Sequence, residues 1–191
     1  MKGLTVGFSV LLMVAMSSCN KRDKEIKEID TMTMAVDSIL KTNPVLTVEQ
    51  RMKTEELALE LTEFSDNYPN DSLSPQYLYQ ASMLYHVMPD YRKELRTLDL
   101  LVEKFPDSPL APQALATAAR VCEESKQDIK SSRDYLTQIK EKYPNSPYAV
   151  NIDLQIEYAG DAEGLLRAIM EKKGMNLDSL NAEIDSVDAV K

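Results

Sequence analysis

Tryptophan is absent from this chain, and 191 residues include only five glycines, two cysteines and one histidine. Each shortage closes off a class of function. Five glycines leave no room for a glycine-rich phosphate loop, and none occurs. A single histidine, His86, rules out a two-histidine zinc site and leaves any Ser-His or Cys-His pair to that one residue. Its place near Met88-Pro89 suggests a helix end, where an exposed or capping role is expected. Two cysteines cannot form a disulfide framework, and Cys122, among Ala118, Ala119 and Val121, reads as a small buried apolar side chain. Glu123-Glu124 and the Asp178 to Glu183 stretch lack the alternating oxygen ligands and central glycine of a calcium loop. No catalytic constellation emerges, and the expectation is a protein with neither enzymatic activity nor cofactor.

What is present begins at the amino terminus. Lys2 is followed by an uncharged, mostly apolar run of 13 residues, Leu4 to Met16, and by Met16-Ser17-Ser18-Cys19. A basic start, a short apolar stretch and a small-residue box make a secretory signal peptide over residues 1–18. Thirteen residues are too few to span roughly 30 Å of hydrocarbon as a helix. Because the box ends in cysteine, it resembles the lipobox of bacterial lipoproteins, with Met16 where leucine is usual. The resemblance implies cleavage before Cys19 and lipid on that residue; an ordinary signal peptide with a chance cysteine is the alternative. Asn20 after the cysteine resembles outer-membrane sorting among proteobacterial lipoproteins, so the expected location is the envelope, outer membrane, facing the periplasm.

The whole chain carries a net charge of −9, and loss of residues 1–18, with one lysine and no acid, makes it −10. An acidic chain repels nucleic acid and a polybasic membrane mode alike. Attachment would therefore fall to lipid, at about 0.8 kcal/mol per buried methylene. Plentiful Leu, Glu, Lys and Ala with little glycine favour helix.

The middle of the chain repeats itself. Tyr68-Pro69-Asn70, Phe105-Pro106-Asp107 and Tyr143-Pro144-Asn145 recur at steps of 37 and 38 residues. Upstream, Leu61, Leu98 and Leu136 align, as do Phe64, Leu101 and Ile139. With the aromatic they form an i, i+3, i+7 set, one face of a helix, which the proline then stops. Ser108-Pro109 and Ser146-Pro147 read as N-cap serine plus proline at the first helical position, with Ser74-Pro75 shifted in the first copy. Leu78, Ala81, Ser82 and Tyr85 align with Leu115, Ala118, Ala119 and Cys122, small residues that let a neighbouring helix approach. A period near 37 with this punctuation indicates stacked helical hairpins.

These strings resemble tetratricopeptide repeats over about residues 50–160, in the variety with a Tyr-Pro-x-Ser-Pro-x-Ala link found in bacterial periplasmic proteins. That variety occurs in the lipoprotein subunit of the outer-membrane β-barrel assembly machine and in the Tol-associated periplasmic coordinator. Glu94 departs from the pattern where a small residue is usual, Ser132 keeps it, and the third copy degrades after Ala149. The resemblance implies an all-α, right-handed solenoid of antiparallel hairpins that holds a segment of another envelope protein. It further implies a role in outer-membrane protein assembly or envelope maintenance. A lipoprotein delivering a ligand to a transporter is the alternative.

The expected organisation is a signal peptide at 1–18, a lipidated terminus and tether at 19–30, a helical domain at 31–173 and a tail or capping helix at 174–191. Thr47 and Gln50 have capping-box spacing. Leu177, Leu180, Ile184 and Val187 hold helical spacing in an acidic context, so the tail reads either as a docked cap or as a segment that folds on a partner. Tyr77, Tyr79 and Tyr91, around the first complete hairpin, are the candidate partner contacts, because exposed tyrosine buries area at modest entropic cost.

If lipid on Cys19 is the anchor, Cys19→Ser shifts the protein from the membrane pellet to the soluble fraction on cell fractionation; persistence in the pellet would refute the anchor.

Overall fold

The computed structural model describes residues 4–42, 45–126 and 128–174, with side chains from Lys21 onward except at 125 and 126. The protein is all-α: among the described residues there are eight α-helices, one 3-10 turn and no strand. They are α1 (Leu4–Thr42), α2 (Val48–Asn67), α3 (Ser74–Val87), α4 (Tyr91–Lys104), α5 (Leu110–Lys126), α6 (Ile129–Lys142), the 3-10 turn Pro147–Ala149, α7 (Ile152–Glu157) and α8 (Ala162–Lys172). Two compact units, Met1–Thr97 and Leu98–Lys191, divide the chain within α4. No helix among the described residues is long and apolar enough to cross a membrane.

In the first unit α1 packs on α2 and α2 on α3; in the second α5 packs on α6, α6 on α7 and α7 on α8. The repeat supplies the packing surfaces. Leu61, Leu98 and Leu136 are buried, as are Phe64, Leu101 and Ile139, and the small pairs Ala81-Ser82 and Ala118-Ala119 are sealed from solvent. Phe64 anchors the first cluster, its ring 4.7 Å from Tyr68 and 4.9 Å, edge-on, from Tyr77.

Helix ends follow local chemistry. The Thr47 side chain accepts from the Gln50 N–H while Gln50 Oε1 accepts from the Thr47 N–H at 2.9 Å, a complete capping box. α2, α4 and α6 stop one residue before Tyr68, Phe105 and Tyr143, where the following proline has no N–H to extend the ladder. Asp161 caps α8, and Gly174, at φ 68°, closes it in the left-handed conformation glycine adopts without strain.

The turns after those prolines share a second device. Ser108 Oγ accepts from the Leu110 N–H at 3.2 Å and Ser146 Oγ from the Tyr148 N–H at 3.0 Å. In the first copy Asp71 does this, accepting from the Leu73 N–H at 2.9 Å. Ser74 is not the shifted cap its neighbour Pro75 suggested. It is buried as the first residue of α3, and its hydroxyl donates to the Tyr68 carbonyl at 2.6 Å. The third copy degrades as expected: Ser146-Pro147 opens only a 3-10 turn, and Asn151 at φ 55° separates it from the short α7.

Residues 19–30, expected as a lipidated terminus and tether, are helical. Ile29 is buried, Ile26 packs on the first cluster and Arg22 pairs with Asp71. Apolar residues at 26, 29, 32 and 36, three or four apart, make the stripe that holds this helix to α2. Of the tail or capping helix expected at 174–191, residues 175–191 lie outside the described residues.

Leu61 and Leu59 stand two positions apart on α2, fully buried and 57% exposed respectively. Leu61→Ala should cost about 2–5 kcal/mol in chemical denaturation, and Leu59→Ala no more than about 0.5 kcal/mol.

Candidate partner-binding face

α2 carries two apolar faces. At ~100° per residue, Thr54, Leu57, Ala58, Leu61, Phe64 and Ser65 fill the buried arc. Val48, Met52 and Leu59 fall within about 40° of one another on the opposite side, and they are 78%, 66% and 57% exposed. The unpartnered stripe is flanked by Glu49, Glu55, Glu56 and Glu63, against Arg51 and Lys53. Lys53 is engaged by Glu49 at 2.7 Å, which holds that carboxyl below and the ammonium above their ordinary pKa values. Lys93 reaches across to Glu55. What faces outward is a row of large aliphatic groups in a negative field.

The tyrosines expected to make contacts are distributed differently. Tyr77 is only 8% exposed and packs on Phe64, so it belongs to the core. Being two residues away, Tyr79 turns elsewhere and is half-buried. Tyr91 is half-buried with its ring 6.2 Å from His86. Tyr85 is core as expected, with Lys93 Nζ 5.5 Å from its ring centre.

His86 is neither a simple surface residue nor a cap. Its Nδ1 lies 3.1 Å from both oxygens of Glu94, whose side chain is completely buried. Glu94 sits in the first turn of α4 and His86 in the last turn of α3, so the pair joins the end of one helix to the start of the next. Ser132, which takes the place of Glu94 in the next copy, donates to Glu123 of α5. A polar tie from one helix to the next therefore recurs, built from different residues. That explains the departure at Glu94: a buried carboxylate needs a partner, and the chain's one histidine supplies it.

Two small clefts lie among the described residues. One of about 150 Å³ in the second unit is lined by Ala116, Ala119 and Leu136 with Tyr158, Leu165 and the polar Arg120 and Gln155. The other, about 160 Å³, lies between α1 and α2 with Glu25, Glu28, Glu60 and Glu63 around Ile29 and Phe64. Both are well below the roughly 300–1,000 Å³ of small-molecule sites, and no group of three or more His, Cys, Asp or Glu among the described residues is arranged to hold a metal. Partial burial, and then repulsion from Glu63, Glu56, Glu25 and Glu28, pushes the Glu60 carboxyl up.

The chain matches no protein-family model and no curated protein. Its own geometry must therefore carry the functional argument.

A carboxyl raised in the folded state binds its proton more tightly there than in the unfolded chain, so it favours folding as pH falls and opposes it above its folded pKa. Glu60→Gln should raise the melting temperature at pH 7 by an amount worth a few tenths of a kcal/mol, as for exposed like-charge pairs. The gain over wild type should shrink as pH falls toward 4.5, the ordinary glutamate value.

Proposed function

We propose that this protein is a non-enzymatic envelope lipoprotein, anchored through lipid on Cys19, whose tetratricopeptide-like hairpins hold a segment of another envelope protein. The carrying observation is the exposed Val48-Met52-Leu59 stripe on α2, opposite a fully used core face. Helical repeat proteins use such surfaces to receive a partner's amphipathic helix or strand. The acidic flanks of the stripe favour a partner segment that is apolar at its centre and rich in lysine or arginine at its edges. The repeat supports the solenoid reading: equivalent leucines and aromatics occupy equivalent buried positions at steps of 37 and 38 residues. On this reading the location is the outer membrane, facing the periplasm, and the role is outer-membrane protein assembly or envelope maintenance. Ligand delivery to a transporter is the alternative reading; no observation favours it as the exposed stripe favours a protein partner.

The test places a photo-crosslinking amino acid at Leu59 in cells and identifies the adduct by its peptide. The expected adduct is a basic, amphipathic segment of an envelope protein. A synthetic copy of that segment should bind the purified protein at least ten-fold more weakly when Met52→Glu and Leu59→Glu are combined, with the melting temperature unchanged. Adducts with a second copy of this chain, or binding indifferent to the two substitutions, would overturn the proposal.

A further inference from the structure

Three observations meet at the turn between α2 and α3. The guanidinium of Arg22 pairs with the carboxylate of Asp71, which holds Asp71 below and Arg22 above their ordinary pKa values. Asp71 also takes the place of Ser108 and Ser146 in the other two turns, where a hydroxyl suffices to accept the backbone N–H two residues on. Only the first copy puts a charge at that position, and only there does it receive a cation from α1. One helical turn further on, Glu25 lies near Tyr68, whose phenol is pushed up first by burial and then by that neighbouring carboxylate. Ile26 and Ile29 follow in the core cluster that includes Tyr68 and Leu73. The amino-terminal side of α1 is thus fastened to this one turn by an ion pair and two isoleucines.

Arg22 is three residues from Cys19. Three residues advance about 4.5 Å in a helix and no more than about 11 Å fully extended. The headgroup layer beyond the hydrocarbon is about 5–8 Å deep on each side. A lipid on Cys19 therefore leaves the clamp no slack with which to leave the bilayer surface.

We propose that the Arg22–Asp71 clamp mounts the first unit directly on the membrane, with the α2–α3 turn from Tyr68 to Leu73 resting on the lipid headgroups. The proposal rests on the lipidation reading above. It has a consequence for the partner-binding stripe. Leu59, Met52 and Val48 lie about 12, 23 and 29 Å along α2 from its end at Asn67. The stripe is then presented within roughly 40 Å of the bilayer, not swept through a large volume on a loose leash.

The test uses the full-length protein in vesicles of phosphatidylethanolamine and phosphatidylglycerol. An environment-sensitive fluorophore is attached at Asn70→Cys, an exposed position, while the other thiol, Cys122, is buried. Phosphatidylethanolamine spin-labelled on its headgroup serves as quencher. Quenching several-fold above that of free fluorophore is expected. It should fall to background when a 20-residue Gly-Ser spacer, with a reach of about 25 Å, is inserted between Asn20 and Lys21. An unchanged melting temperature shows that the spacer variant is folded. Quenching that is absent in the parent, or equal with and without the spacer, overturns the mount while leaving a membrane-bound lipoprotein. A protein that stays in solution, with an unmodified Cys19 by mass spectrometry, overturns the lipidation reading and the mount with it.

Discussion

Three helices of this chain end in the same way: an aromatic ring turns inward and the proline after it has no N–H to give. The stop at Tyr68, Phe105 and Tyr143 sets the length of α2, α4 and α6, and the oxygen acceptor three residues on closes each turn. Within the second unit these turns are tied to one another, since the Tyr143 hydroxyl donates to the Pro106 carbonyl at 2.9 Å. A steric rule at one residue thereby fixes the phase of the leucines upstream and of the small residues downstream. The buried positions repeat because the stops repeat.

That dependence explains how much could be read before any coordinates. Proline and capping side chains act over four residues or fewer, so the Thr47–Gln50 box and the three stops were visible in sequence. Groups paired over longer distances were not. Glu94 looked like a flaw in the repeat because nothing in the sequence announces that His86, eight residues earlier, comes within 3.1 Å of it. Residues 19–30 read as a lipidated terminus and tether because they are dense in charge, and nothing in the sequence announces that Arg22 finds a partner 49 residues away in Asp71. Asp71 escaped notice in turn, since attention to Ser-Pro pairs passed over an aspartate already in register.

The stripe on α2 was missed for another reason. Leu57, Leu61 and Phe64 gave a sufficient core face, and one amphipathic face is the usual expectation. Val48, Met52 and Leu59 have spacings of four and seven residues, which keep them in line. Of the tyrosines that were the candidate contacts, Tyr77 is buried against Phe64. Large aliphatic side chains on a surface mean little one at a time. Three in one row, on a helix whose other side is already satisfied, are harder to account for by folding alone.

Three side chains are a small patch, and that limits the complex they can make. A stable interface covers about 800 Å² on each partner, more than one short row supplies, so the stripe can be the dry centre of a contact but not its whole extent. The surrounding carboxylates form the rim, where charge affects encounter rate more than residence and is screened beyond about 8–10 Å at physiological salt. Such a face suits a contact that forms and dissolves repeatedly. Transient contacts gain most from high effective concentration, and under the proposed lipid anchor and mount a domain clamped a few residues from the bilayer would meet only partners at the same surface. In that proposal the weak patch and the short mount are complementary: confinement to the membrane would supply the encounter frequency that three aliphatic side chains cannot supply as affinity.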